Sequence, residues 1–383
     1  MDFDKMIDRS GTNSIKWDRF KNKKALPLWV ADMDFKSPQE VIDVLEKRVQ
    51  HGIFGYTSIP EQYYKSIQKW YLNRQSWAID MDDIIFTPGV VTAISAGIQA
   101  FTKTGDEVII QPPVYFPFKK TILNNGRQLL KNELIKNKTG YSIDFDDLEK
   151  KAQRKSAKLL ILCSPHNPIG RVWRKEELFR MGQICEENNV KVISDEIHGD
   201  LIFDGHKQVP YASINKEMAD HSMICTAPSK TFNMAGLDNS NIIISNNLMK
   251  TDYINILEKN DLMRPNLLGL EGTLAAYENG EKWLQEVMDY IQENYKYLRD
   301  YCAKHLPRIK VNEPEGTYLV WLDFSEYNLT DKALENKLME DAKVILNQGY
   351  VFGSSGSGYV RLNLASPRQM IEEALERIKK SFS

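Results

Sequence analysis

Short, mostly apolar runs recur at residues 84–86, 107–110, 158–163, 191–194 and 223–226, and a sixth at 241–245 follows after a short gap. Runs this short are the signature of strands buried on both faces. Longer stretches with helical spacing separate them, and strands alternating with helices build a largely parallel sheet. The pattern predicts an α/β domain.

Helix starts are marked in the same way. Ser37-Pro38-Gln39-Glu40 offers an N-cap serine, a proline at the first helical position and a capping-box glutamate, followed by an apolar stripe of Val41, Val44, Leu45 and Val49. Ser58 and Glu61 have the spacing of a second box. Ser366-Pro367 opens a helix in which Met370, Ile371, Ala374, Leu375 and Ile378 keep the 3.6-residue period. From about residue 280 a second unit is expected, with a helix over 283–305 and strands over 318–324 and 359–364. The 383 residues are enough for more than one core.

Composition narrows the function. Lys and Arg number 50 against 52 Asp and Glu, a net charge of −2 that gives no electrostatic reason to expect a nucleic-acid or membrane partner. The opening MDFDKMIDRSG has no apolar signal-peptide core, and no apolar run approaches the length of a membrane span. Cys163, Cys185, Cys225 and Cys302 form no C-x-x-C pair, and the histidines are dispersed, so neither disulfides nor a metal site is expected. The expected location is the cytoplasm.

Polar residues of distinct chemistry sit just past the carboxyl ends of the apolar runs: Pro88-Gly89-Val90-Val91-Thr92, Pro112-Pro113-Val114-Tyr115, Ser164-Pro165-His166-Asn167, Asp195-Glu196-Ile197-His198 and Pro228-Ser229-Lys230. In open α/β sheets ligands bind at that edge. Taken singly, a Pro-Gly is a turn, an aspartate after a strand an N-cap and a lysine a surface charge. Together they supply an anion cradle, an aromatic face, an amide, a carboxylate and an amine, the groups needed to hold a planar, phosphorylated aldehyde.

Ser164-Pro165-His166-Asn167-Pro168-Ile169-Gly170, Ser194-Asp195-Glu196-Ile197-His198, Ser229-Lys230-Thr231-Phe232-Asn233-Met234-Ala235-Gly236-Leu237 and Arg361-Leu362-Asn363-Leu364-Ala365 resemble, in order and spacing, the fold-type-I pyridoxal-phosphate (PLP) enzymes of the class I/II aminotransferase superfamily. Pro27-Leu28-Trp29-Val30-Ala31-Asp32-Met33-Asp34-Phe35, Phe54-Gly55-Tyr56-Thr57 and the Asp195–His198 motif resemble the MalY/PatB-type cystathionine β-lyase (C–S lyase) branch. The resemblance implies a large domain with a mostly parallel seven-stranded sheet over 51–280. It also implies a smaller α+β domain over 281–383, with residues 1–50 as an N-terminal arm and part of that domain.

For the site, the resemblance implies that Lys230 binds the cofactor aldehyde and shuttles protons. Asp195 pairs with the pyridine nitrogen, Asn167 with the phenolic oxygen, and Tyr115 stacks on the ring. The Val90 and Val91 N–H groups cradle the phosphate, with Thr92 or Ser229 adding a hydroxyl. Tyr56 reaches the phosphate of a neighbouring subunit, which implies a homodimer with shared sites, and also borders the substrate. Arg361 binds the substrate α-carboxylate, with Trp29, Ala31 and Asn167 beside it. His198 stands where many aminotransferases carry a tyrosine, and Asp238 where many carry a phosphate-binding arginine. The expected reaction is α,β-elimination on an L-amino acid with sulfur at Cβ. An aminotransferase is the rival enzyme, and a regulatory PLP-binding protein with minor catalysis the reading from another class. Trp29 has a packing reading beside its substrate role, His198 one of filling the tyrosine's space, and His166 one of a structural hydrogen bond. The Gly/Ser loop at 353–358 reads as a turn near the substrate entrance.

Overall fold

A computed structural model of the chain describes residues 1–20, 24–137 and 140–382. Its main sheet has seven strands: β1 (Ile84–Thr87), β2 (Glu107–Ile110), β3 (Gln128–Lys131), β4 (Ala157–Cys163), β5 (Lys191–Asp195), β6 (Ser222–Thr226) and β7 (Ser240–Ile243). The spatial order is β1-β7-β6-β5-β4-β2-β3. β7 is antiparallel to both its neighbours and the other pairings are parallel, so six strands point one way.

Side chains alternate across this sheet, as pleating requires. Leu159, Ile161 and Cys163 enter one core together with Ile193, Met223 and Cys225. Leu160, Leu162, Val192 and Ile224 enter the other. Burial on both faces explains the unbroken apolar runs. β3 does not show that signature because it is an edge strand with two exposed residues in four. The helix Val90–Phe101 lies directly on the sheet: a Cβ on Gly97 would stand 2.8 Å from Ile193 Cδ1 and 2.9 Å from Met223 Sδ. That close approach requires a glycine at position 97.

A four-stranded antiparallel sheet follows the long helix Glu281–His305. It consists of β8 (Lys310–Val311), β9 (Leu319–Asp323), β10 (Asn347–Gln348) and β11 (Tyr359–Asn363), in the order β8-β9-β11-β10. The helix Arg368–Phe382 packs here, with Met370, Ile371, Ala374, Leu375 and Ile378 buried as their spacing predicts. At the other end of the chain, Leu26–Pro27 pairs in parallel with Val344–Ile345. Among the described residues no helix is long and apolar enough to cross a membrane.

Both predicted capping boxes are absent. The helix Gln39–His51 starts after Pro38 and the helix Glu61–Gln75 after Pro60, neither with a side-chain cap. Each proline occupies the N-cap position itself with extended backbone, which moves the serine outside the helix. Ser37 instead donates to the Asn233 carbonyl at 3.2 Å. Val49, at the end of the expected stripe, is exposed.

Candidate active site

The parallel strands deliver their carboxyl ends to one edge of the sheet. In the last row of the register Cys163 pairs with Asp195 and Asp195 with Cys225, so Asp195 sits mid-sheet. A cavity of about 560 Å³ opens there. Val90, Val91, Tyr115, Asn167, Asp195 and His198 line it, as do Ser229, Lys230, Arg361, Trp29 and Ala31. The expected site residues are thus brought together, with one exception. Tyr56 does not line the cavity; its side chain is 96% exposed, with the Arg264 guanidinium 5.9 Å from its ring.

Lys230 follows β6 in a short helix, Pro228–Thr231, and its Nζ donates to the Ala31 carbonyl at 2.6 Å. Burial pushes the amine down to about 8, against the opposing pull of the Asp32 carboxylate. Asp195 is buried at the end of β5, and burial pushes its carboxyl up to about 7. Its hydrogen-bond donor in the described chain is the Ile197 N–H at 3.2 Å. A buried carboxylate with so little compensation favours a cationic N–H donor.

The helix Val90–Phe101 has Gly89 at its N-cap, with φ 84°, no side-chain cap and no acidic residue in its first turn. Its first N–H groups therefore lack the carboxylate or hydroxyl that commonly satisfies them, and the positive end of the helix faces the cavity. Thr92 and Ser229 bring hydroxyls to the same lining. Tyr115 presents its ring to the cavity, set edge-on against Phe118. Burial and the Asp195 charge push its phenol up to about 12, so it stays neutral.

Arg361 lies on β11, buried, and burial lowers its guanidinium to about 10. Nη1 donates to Asn167 Oδ1 at 2.8 Å and Nη2 to the Trp29 carbonyl at 2.8 Å, while Nε has no partner among the described residues. Cys163 stiffens the turn that carries Asn167: its Sγ lies 3.4 Å from the Asn167 N–H and 3.4 Å from the Pro165 carbonyl. His166 bonds the Pro113 carbonyl at 2.9 Å, the structural role its position allowed. His198 is buried edge-on to Tyr318, with Nδ1 unpartnered among the described residues. Burial and the Lys230 and Arg361 charges hold it well below its ordinary value, as a neutral imidazole.

Sequence reasoning missed part of the cavity's lining. Arg19, Ile15, Phe116 and Asn347 also line the cavity. Tyr318 donates to the same Ala31 carbonyl as Lys230, at 2.9 Å. No strand end or motif points to Arg19 or Ile15, which arrive through an irregular arm. Tyr318 lay within an expected strand and was legible only as core.

The family described as aminotransferase class I and II matches residues 23–378. The chain is 44% identical over 387 aligned residues to cystathionine beta-lyase PatB of Bacillus subtilis (strain 168), spanning 100% of both. Cystalysin from Treponema denticola, whose crystal structure contains a pyridoxal 5′-phosphate cofactor, superposes with a TM-score of 0.97 at 40% identity, covering 100% of this chain and 98% of that one. The PLP-bound C–S lyase from Staphylococcus hominis does so with a TM-score of 0.93 at 35% identity and the same coverage.

Proposed function

The chain belongs to the class I and II aminotransferase family, and within it we propose a PLP-dependent carbon–sulfur β-lyase that converts an L-amino acid with sulfur at Cβ into a thiol, pyruvate and ammonia. The observation that carries this reading is the convergence of Lys230, Asp195, Asn167, Tyr115 and Arg361 on one cavity, in a chain alike over its whole length to a cystathionine β-lyase.

The residues present fit the cofactor. Lys230 would hold its aldehyde carbon, and a primary amine brought down to about 8 by burial is suited to that bond and to taking a proton near neutrality. Asp195, short of donors, would accept from the pyridine nitrogen and favour its protonated form. Asn167 gives its Oδ1 to Arg361, which leaves its amide N–H to donate to the phenolic oxygen. Tyr115 would cover the ring. The uncapped N–H groups of Val90 and Val91, with Thr92 and Ser229, would hold the phosphate. When bound, PLP supplies a ring that accepts the electron pair left at Cα, which is its own chemistry rather than the protein's.

Arg361 takes the substrate α-carboxylate with its remaining N–H groups, and Trp29 and Ala31 wall the substrate. Lys230 would take the Cα proton. The Cβ–S bond then breaks with its electron pair leaving on the thiolate, and the unsaturated remainder hydrolyses. His198 stays neutral beside the cofactor and so adds no charge. Tyr56, exposed in the single chain, completes the phosphate site of a second copy, so the working unit is a homodimer with shared sites. Four buried free cysteines fit a reducing cytoplasm.

The test is to mix PLP-loaded protein with L-cystathionine in the absence of any keto acid. Pyruvate released over many turnovers is expected. One stoichiometric conversion to the pyridoxamine form, restarted only by a keto acid, would establish an aminotransferase instead.

A further inference from the structure

Five charged side chains line the cavity: Arg19, Asp195, Lys230, Asp238 and Arg361. The reading above uses Asp195 and Lys230 for the cofactor and Arg361 for the α-carboxylate. Arg19 is a second cation on the same wall with no task. It lies just past the short helix Ile15–Asp18, exposed, and among the described residues it has no carboxylate partner. Its neighbour Asp18 is engaged elsewhere, accepting from the Gly11 N–H at 2.8 Å.

Its position is nonetheless defined. The guanidinium carbon lies 5.3 Å from the Trp29 ring centroid and 5.7 Å from that of Phe20. Phe20 meets Trp29 edge-on at 5.5 Å, and the Trp29 indole N–H donates to the Lys16 carbonyl at 3.1 Å, which fixes the ring. A guanidinium seated on aromatic faces loses less side-chain freedom when it meets a ligand than one in open solvent. Trp29 thus carries a cation at each end. Arg361 binds its carbonyl and Arg19 covers its indole.

We propose that Arg19 is a specificity residue that receives a carboxylate on the departing side of the substrate. The enzyme then prefers thioethers whose leaving thiol bears an acid, as in L-cystathionine, over small alkyl thioethers. The inference rests on the C–S lyase reading. With the α-carboxylate on Arg361, the carbon–sulfur arm has to extend along the remaining lining, where Arg19 is the one cation not otherwise assigned. A neutral alkyl group gains nothing from it, so the charge discriminates between leaving groups rather than strengthening all binding equally.

The experiment compares kcat/KM for pyruvate release from L-cystathionine and from S-methyl-L-cysteine, using the PLP-loaded wild type, Arg19→Ala and Arg19→Glu. A charge-assisted bond of ordinary strength predicts that the cystathionine-to-methylcysteine ratio falls about tenfold in Arg19→Ala, and further in Arg19→Glu. In the wild type the ratio should also fall with added salt, because the guanidinium is exposed. An unchanged ratio in both variants overturns the inference while pyruvate from the wild type keeps the lyase reading intact. If the wild type releases pyruvate from neither substrate, the lyase reading fails and the inference falls with it.

Discussion

Arg361 Nη1 donates to Asn167 Oδ1 at 2.8 Å, so the residue assigned to the substrate carboxylate and the one assigned to the cofactor oxygen hold each other in place. The second anchor, Nη2 on the Trp29 carbonyl, fixes the plane of the fork. Lysine has no fork and cannot keep both anchors while meeting a carboxylate. Arg361→Lys is therefore expected to raise KM for amino-acid substrates about tenfold or more, the loss of a charge-assisted bond. Steady-state kinetics check this, and an unchanged KM would remove Arg361 from the carboxylate site.

Burial at Lys230 predicts an unusual pH profile for cofactor loading. A neutral amine attacks the aldehyde, so the rate at which apoprotein takes up PLP should climb with pH and level off above about 8, not above the ordinary 10.5. The Asp32 carboxylate favours the ammonium form, so Asp32→Asn is expected to move the climb to lower pH. Stopped-flow absorbance reads both. A rate still rising at pH 10 would contradict the lowered amine.

The strands of the main sheet were legible because six of them are buried on both faces and carry little but apolar residues. The residues past their carboxyl ends were legible for the same reason, since a parallel sheet gathers those ends. β3, with the sequence Gln128-Leu129-Leu130-Lys131 at the sheet edge, carried too little apolar signal. The antiparallel sense of β7 leaves no mark on its residues. The arm that brings Arg19, Trp29 and Ala31 to the cavity is fixed by long-range hydrogen bonds, such as Asn363 Nδ2 to the Val30 and Asp32 carbonyls at 2.7 and 2.6 Å. Such contacts have no period to read.

Asp195 couples function to stability. Burial pushes its carboxyl up to about 7 from an ordinary 3.8, so between those values the folded chain keeps a proton that the unfolded chain releases. Stability contributed at this position therefore falls as pH rises through that window and stays lower above it. Asp195→Asn removes the penalty. The variant apoprotein is expected to melt higher than wild type at pH 8, with the difference closing in acid, and to bind PLP more weakly. Melting curves against pH and a PLP titration decide; a lower Tm for the variant at pH 8 would mean the buried charge is better compensated than its contacts indicate.

The last prediction concerns the ion cluster behind the Trp29–Asp34 stretch. Lys16 is fully buried, with Nζ 2.6 Å from Asp34 Oδ2, and Asp34 also accepts from Ser366 Oγ at 2.6 Å, Trp17 Nε1 at 2.9 Å and Arg9 Nη1 at 2.8 Å. Burial alone would raise the Asp34 carboxyl, but the Lys16 charge and these donors outweigh it and hold the carboxyl below its ordinary 3.8. Its stabilisation is therefore present above that value and lost as pH falls below it. Asp34→Ala leaves the buried Lys16 ammonium, among the described residues, with only the Asp32 carboxylate at 3.7 Å and the Asp32 carbonyl at 3.2 Å. That loss falls towards the lower end of the about 3–5 kcal/mol for a broken buried pair, whereas replacing both partners by apolar residues of similar volume is often near neutral. Asp34→Ala should thus lower Tm sharply and weaken amino-acid binding, because Ala31 and Trp29 share the stretch that Asp34 anchors. The double variant Lys16→Met with Asp34→Leu should recover much of the Tm. If the double variant is no more stable than Asp34→Ala, the loss comes from the other hydrogen bonds to Asp34 and not from the weakened compensation of the buried charge.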